Sequence, residues 1–463
     1  MTETKKMPRQ VRWLWSIGDA GFAAIVMISL NYFAPFLTDY AKFSLPMVAL
    51  ILALCNGIDT VASPFTGIFI ERIRMPWGKF RSWLLVGGII VFVFNTLQYT
   101  RVSVDEKLAA IIIVLGSAIG RTIWNVAFTS DAGLIPNLAG DNQSDYNFLF
   151  ARRQMWQFVG RLLFSVSGVP LIGMFAGLLS PSMAIFFVAV IFGLLMTIGW
   201  WIQFAVSKGY EAAKADSGVQ PKVTKWVDMV RVLKNGPLWV LIIAATLRDL
   251  GMFTGIGFGF YYFRYVWNNI GAFGIQMTAS SIWATVISIV VAKILIDKLG
   301  PKKLWVYSAF LSSIVMIIVR IFARNAYFMI GAEFVTGVLW ISAMPVHPML
   351  FTDAATYAEW KTGVEARGFI LGLGNINTKL AVFLSGLVLS STLIAIKFVP
   401  DVEQSTEGIS ALNSAFCLIP VVFYLIHALV MIFGYRLTDE KIANMKAEIA
   451  AKTSPGSALS ANA

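Results

Sequence analysis

Apolar runs of about 20 residues recur almost end to end along this chain, and nothing else in it restricts the fold as strongly. A run of that length crosses the hydrocarbon core of a bilayer as one helix. In lipid, backbone N–H and C=O groups must be satisfied inside their own segment, so the runs predict an all-α, polytopic membrane protein. The alternating pattern of a transmembrane barrel is absent. Only 13% of the 463 residues are charged and 57% are hydrophobic, against about 25% charged in a soluble domain. A string of two or three soluble domains is thereby excluded.

Length and loop polarity predict about twelve spans. Six fall at roughly 13–37, 45–70, 83–100, 108–134, 154–177 and 183–206. Six more fall at roughly 237–263, 274–296, 304–323, 327–350, 369–396 and 411–434. The longest polar stretch, with Lys208, Lys214, Pro221, Lys222 and Lys225, divides them. The domain plan is a six-helix half at 1–206, a central cytoplasmic loop at 207–236, a second six-helix half at 237–434 and a cytoplasmic tail at 435–463. The tail ends in SPGSALSANA, whose small and polar residues predict disorder. A weak echo relates the halves. Glu71-Arg72 then Trp77-Gly78-Lys79 after the second span parallels Asp297-Lys298 then Gly300-Pro301-Lys302-Lys303 after the eighth. Paired halves around a central cavity are a common transporter plan.

The net charge of +12 invites a nucleic-acid reading, but its distribution opposes it. Basic residues gather in the N-terminal tail (Lys5, Lys6, Arg9, Arg12), at 71–82, 207–236 and 297–303, and in the C-terminal tail, while the alternate loops carry few. This positive-inside pattern predicts a cytoplasmic-membrane protein with both termini cytoplasmic. No nucleic-acid partner is expected, and a monomer is. The two cysteines, Cys55 and Cys417, lie in apolar runs and form no disulfide or metal framework. The first run contains Gly18-Asp19 and lacks a small-residue cleavage pattern, so it reads as a retained helix. GIGFGF at 255–260 has no strand–helix setting and reads as a packing surface, not a dinucleotide motif. His347 and His427 are isolated. Neither an enzyme nor a cofactor is expected. Trp200, Trp201, Trp267 and Trp305 are predicted to anchor at the membrane interface.

Within one apolar run stands Asp59, about three helical turns before the basic loop of Arg72, Arg74, Lys79 and Arg81. Carboxylates at bilayer depth are costly and usually mark an ion or substrate path, which suggests a transporter. Ser63 lies four residues on, on the same helix face. Lys379 has apolar residues on both sides and is too deep to snorkel. Arg121 and Asn125 share a face of the fourth span, with Trp124 beside them and Asp131 further on. Arg248 and Asp249 put a charged pair into the seventh.

The segment GKFRSW after Asp59 resembles the loop between the second and third helices of the glycoside–pentoside–hexuronide:cation symporters, a branch of the major facilitator superfamily. Further segments resemble the same family in order along the chain: Gly18-Asp19-Ala20-Gly21 with Leu37-Thr38-Asp39; Leu134 to Leu138 with Asp141 and Arg153; Tyr261-Tyr262-Phe263 with Tyr265; and Asp353, Tyr357, Glu359, Lys361-Thr362-Gly363 and Lys379. The resemblance implies two pseudo-symmetric six-helix halves and symport of a sugar, glycoside or hexuronide with a proton or sodium ion. It assigns cation coupling to Asp59, Ser63 and Lys379. In the melibiose permease branch two aspartates form that site; here only Asp59 remains. One carboxylate with nearby oxygens suits sodium, the one metal this chain would hold, and a lone carboxylate at depth suits a proton.

For substrate, the resemblance points to Arg153, whose fork suits hydroxyls or carboxylates, although a membrane-surface anchor is the other reading. Asp19 fits a sugar acceptor, a partner of Lys379 or a structural residue. Phe128 and Ala132 stand where the melibiose branch has its sugar-binding aspartate and tryptophan, so that galactoside site is not reproduced. Arg121, Asn125 and Trp124 remain as candidates, Trp124 for stacking or for plain packing. The arginines either make the cavity suit an anionic sugar or are neutralised by Asp131 and Asp249. Glu71, Arg72, Lys79, Arg81, Asp141, Asp353, Glu359 and Lys361 are expected to form a cytoplasmic gate. Single exposed pairs contribute only about 0–1 kcal/mol, so the gate would need a network. The alternatives are an uncoupled facilitator or exchanger of an anionic solute and, from another class, a membrane sugar sensor.

Overall fold

A computed structural model describes residues 7–73, 75–140, 142–211, 231–365 and 367–453. Arg74, Asp141, Lys214, Lys222, Lys225 and the terminal SPGSALSANA lie outside the described residues, and so do the expectations placed on them. The described residues form helices and no strand. After a short helix at Arg9–Leu14 come α1 (Gly18–Pro35), α2 (Leu45–Ala62, continued by Thr66–Arg72), α3 (Arg81–Leu97), α4 (Glu106–Ala139), α5 (Gln143–Leu178) and α6 (Pro181–Val206). Then follow α7 (Gly236–Tyr261), α8 (Ile270–Val290, continued by Ala292–Leu299), α9 (Pro301–Phe322), α10 (Ala326–Ser342, continued by Val346–Thr362), α11 (Arg367–Leu373, continued by Ile376–Ala395) and α12 (Thr406–Gly434). A last helix, α13 (Asp439–Thr453), occupies part of the tail and packs on the second segment of α10.

Among the described residues, ten helices are long and apolar enough to cross a membrane. The 17-residue α3 and the apolar α8 pack among them at the places of the predicted third and eighth spans. α4 and α5, at 34 and 36 residues, outrun the predicted 108–134 and 154–177. Hydropathy marks only the part of a helix that sits in lipid, whereas the ends are set by capping. Asp105 accepts from the Leu108 amide at 2.8 Å, and Asn142 accepts from the Ser144 amide at 3.0 Å. α10 stops at Gly363, which takes the left-handed conformation (φ 71°) that a side chain would strain.

Small residues let the backbones of the first half touch. A Cβ on Gly21 of α1 would lie 2.2 Å from the Met196 nitrogen of α6, and one on Gly160 of α5 would lie 1.8 Å from the Ala20 carbonyl oxygen of α1. Without a hydrophobic drive between helices in lipid, such close packing is what holds them together. It also brings Asp19, Arg153 and Gln203 within reach of one another. Trp200 and Trp305 correct an expectation: both are fully buried, Trp200 against Gly18 and Trp305 edge-on to His427 at 4.9 Å. Trp267 is half-buried and Trp201 is exposed. A tryptophan near a helix end reads the same in sequence whether it faces headgroups or a neighbouring helix.

Three helix pairs carry the seam between the first six helices and the last six: α1 with α7, α2 with α11, and α5 with α8. α1 and α7 end alike, each in a π-helical turn, Phe36–Tyr40 and Tyr262–Val266. Each turn is followed by a residue at positive φ, Lys42 (54°) and Asn268 (48°), and each is closed by a backbone hydrogen bond, Phe43 to Leu37 and Asn269 to Phe263. The two ends are thus built to one pattern.

Candidate functional site

The polar residues of α2 lie at helical spacing on one face: Asn56, Asp59, Thr60 and Ser63. Pro64 removes a backbone donor there, and the helix tightens into a short 3₁₀ turn at Ser63–Phe65 before continuing. Across the seam, α11 is broken at Gly374-Asn375, so Asn377, Thr378 and Lys379 fill the first turn of its second segment. Broken helices at mid-depth are where transporters commonly present polar groups.

Lys379 donates to Asp59 Oδ2 at 2.8 Å and to Asn125 Oδ1 at 3.1 Å, while the Asn125 amide donates to Asp59 Oδ1 at 2.6 Å. The Thr60 hydroxyl donates to the Lys379 carbonyl at 3.2 Å. Asp59 keeps 12% of its side chain exposed and Lys379 keeps 30%, so the triad is enclosed without being sealed. Ser63 lines a cavity of about 300 Å³ with Thr60, Phe369, Asn375 and Lys379. Asp59, Lys379 and Asn125 therefore meet, and Ser63 stands at the edge of the same space.

Arg121, one turn before Asn125, donates to Asn56 Oδ1 at 2.6 Å and lies over the Phe33 ring at 5.2 Å. Trp124 meets Phe22 edge-on at 4.8 Å, and Phe22 stacks on Phe128 at 4.4 Å. On the α7 side, Asp249 accepts from Asn377 at 2.7 Å and from Thr378 at 2.9 Å, and His347 hydrogen-bonds Asn377 at 3.3 Å.

Arg153 is placed differently from an arginine at a membrane surface. It sits within α5 and is buried, with Nε 2.7 Å from Asp131 and 3.3 Å from Asp19. Gln203 of α6 donates to Asp131 at 2.6 Å and accepts from the Gly18 amide at 2.9 Å. The quartet ties α1, α4, α5 and α6 together. Both carboxylates are fully buried, so Asp19 pairs with Arg153 and not with Lys379.

Of the expected gate residues, Glu71 at the end of α2 and Lys79 in the loop after it pair at 2.7 Å. Arg81 stacks on Phe204 at 3.8 Å and donates to its carbonyl at 2.6 Å. Lys361 lies over Tyr357 at 5.6 Å. Among the described residues, Arg72, Asp353, Glu359 and Lys361 form no ion pair, and no gate residue is paired across the seam.

The opposite end is latched. Thr38 meets the Tyr261 hydroxyl at 3.0 Å, and Tyr265 donates to Asp39. Arg264 bridges Asp39 at 3.5 Å and Asp401 at 2.8 Å, and Lys42 reaches Asp401 at 3.2 Å. The polar turns of α1 and α7 and the α11–α12 loop thus close one end across the seam. Sequence reading noted Asp39 and Tyr265 as parts of motifs but gave them no role. It missed Arg264, Asp401, Asn56, Gln203 and the half-buried Glu333, held by Ser280 at 2.5 Å and by Gln276. Arg264 and Asp401 lie next to loops, where a charge is unremarkable until a partner is known.

A family profile described as MFS/sugar transport protein matches residues 14–439. An isoprimeverose transporter of Lactiplantibacillus pentosus is 25% identical over 98% of this chain and 94% of its own length. A glucuronide carrier protein homolog of Escherichia coli is 24% identical over 96% of each. Among solved structures, that of the nucleoside transporter NupG superposes with a TM-score of 0.64 at 12% identity, covering 93% of this chain and 99% of that one.

Proposed function

The chain belongs to the MFS/sugar transport protein family, and from that premise we propose that it moves a sugar or glycoside together with a proton or sodium ion by alternating access. It is a multi-pass membrane transporter and not an enzyme. The observation that carries the coupling reading is the 2.8 Å contact between Asp59 of α2 and Lys379 of α11, which joins the two halves. With no ion bound, Lys379 satisfies the carboxylate. A cation that takes over Asp59 releases Lys379 and Asn125, and their donors then become available to substrate hydroxyls. Ion and substrate must raise each other's affinity by the same factor.

Asn125, Arg121 and Trp124 form the substrate side of this proposal in the first half, and Asp249 with Thr378 in the second. Similarity to an isoprimeverose transporter and to a glucuronide carrier protein homolog favours a sugar or glycoside as cargo. With the basic loops cytoplasmic, the latched end faces outward. Glu71, Arg72, Lys79, Arg81, Asp141, Asp353, Glu359 and Lys361 would then latch the inner end when the halves, 1–206 and 237–434, rock the other way. A monomer suffices for this cycle.

Uptake by proteoliposomes under separate sodium and proton gradients tests the proposal. The wild-type protein is expected to accumulate substrate under one of them. Asp59→Asn should lose accumulation and keep exchange of labelled for unlabelled substrate. Full gradient-driven accumulation by that variant would remove Asp59 from the coupling site. A wild-type protein that equilibrates substrate but never concentrates it would be an uncoupled carrier.

A further inference from the structure

One acid inside the bundle has no part in the coupling scheme. Glu333 lies in the first segment of α10, about 10 Å along the helix from Ala326. No other residue of Ala326–Ser342 is charged, and Ile270–Val290 of α8 carries no charge at all. α8 and α10 pack on each other, and α8 also lines the seam, where Ser281 meets Ser165 of α5 at 3.1 Å. Asp59, Asp131, Asp19 and Asp39 each have a cation partner, and Asp249 adjoins Arg248 in α7. Glu333 has none: no Lys, Arg or His nitrogen of the described residues lies within 4.0 Å of it.

Its partners are neutral. Ser280 Oγ stands 2.5 Å from one Glu333 oxygen and 2.8 Å from the Gln276 carbonyl, and the Gln276 amide donates to the second Glu333 oxygen. Tyr424 of α12 is close enough to feel its charge. Arg320 of α9 is turned to Ser414 of α12 at 3.1 Å. Lys293, Asp297 and Lys298 follow Ser280 by about 20 Å or more along α8 and its continuation, with Lys302 and Lys303 of α9 beyond them.

A carboxylate held at bilayer depth by neutral donors alone is costly, and one proton removes the charge. Ser280 suits both states, because a hydroxyl donates once and also accepts. Beside an ionised Glu333 it donates to the carboxylate. Beside the neutral acid it accepts the Glu333 O–H and turns its own proton to the Gln276 carbonyl. One hydroxyl rotation separates the two states. We propose that Glu333 is a proton-binding site of the second half, separate from Asp59. Its carboxylate takes one proton from water on one side of the membrane and returns it to water on the other in each transport cycle. The transport role rests on the reading of this chain as a cation-coupled carrier; proton binding by itself does not.

Infrared difference spectra of the purified full-length protein in lipid, recorded between acidic and alkaline buffer, read the C=O stretch of protonated carboxyl groups. The wild-type protein should show a band that disappears as the pH is raised. That band should be lost in Glu333→Gln and survive in Asp59→Asn. In Ser280→Ala, which removes the acceptor of the acid proton, it should move to higher frequency. Ser280→Ala keeps Glu333 in place, so the assignment stays testable if Glu333→Gln fails to fold. A Glu333→Gln spectrum identical to that of the wild type, or a Ser280→Ala band that does not move, overturns the site. Proteoliposomes at zero membrane potential read the transport role, with labelled methyl glucoside or methyl glucuronide, whichever the wild-type protein takes up. Under a gradient of about one pH unit, loss of one proton per cycle should lower accumulation by Glu333→Gln about tenfold. Accumulation equal to that of the wild type overturns the transport role. A wild-type protein that concentrates neither probe under a proton or a sodium gradient overturns the coupled reading and the transport role with it, and the band decides proton binding in either case.

Discussion

The junction of Asp59 with Lys379 can be tested by a double-substitution cycle of Asp59→Asn, Lys379→Gln and the pair. At 2.8 Å the direct attraction is about 6 kcal/mol for an effective dielectric constant of about 20. Desolvation of both charges opposes it, and exposures of 12% and 30% screen part of it. The net coupling should therefore resemble that of a charged hydrogen bond, about 1.5–3 kcal/mol. Each single variant strands a charge in a largely enclosed site, which costs about 3 kcal/mol. Lys379→Gln is the milder, because Asn125 still donates to Asp59. The double variant strands neither charge, and its cost should fall below the sum of the singles by about 2 kcal/mol. Equilibrium unfolding of the purified protein in detergent reads all four corners. Costs that add to within about 0.5 kcal/mol would show that the two residues do not interact, and the coupling mechanism would lose its basis.

Asp131→Ala leaves Arg153 with Asp19 as its remaining acid and takes the acceptor from the Gln203 amide N–H, so a loss of about 3–5 kcal/mol is expected, read as a lowered unfolding midpoint and poor recovery of monodisperse protein. Gly160→Val places a side chain where the Ala20 carbonyl stands, 1.8 Å from the Cβ position, and should prevent α5 from docking on α1; a folded, active variant would refute that packing. Asp39→Asn weakens the outer latch on Tyr265 and Arg264 by about 1–2 kcal/mol, so hydrogen exchange in Phe36–Tyr40 and Tyr262–Val266 should quicken about 5- to 30-fold. Unchanged exchange would mean that the latch does not hold that end closed.

Fold class was legible in the sequence because the cause is local: a run of apolar residues long enough to cross lipid has to be a helix, wherever its neighbours lie. The conjunction of Asp59 and Lys379 was approachable for a related reason. Each charge is anomalous in its own run, and the motifs around them resemble one family from end to end. Local pattern also placed Arg121 and Asn125 on one face, which the structure turns toward Asn56 and Asp59 of α2.

What tertiary structure alone decided was which partner each charge takes. Arg153 and Asp131 are 22 residues apart, and Asp19 is further away still, so only the docking of α1, α4 and α5 makes one buried group of them. The outer latch joins Asp39 to Tyr265 over 226 residues, and no local signal spans that distance. Trp200 and Trp305 reversed from interface to core for the same reason. Along the chain a charge shows the cost of placing it in lipid; whether a neighbour meets that cost, or a ligand must, is settled by which helices pack together.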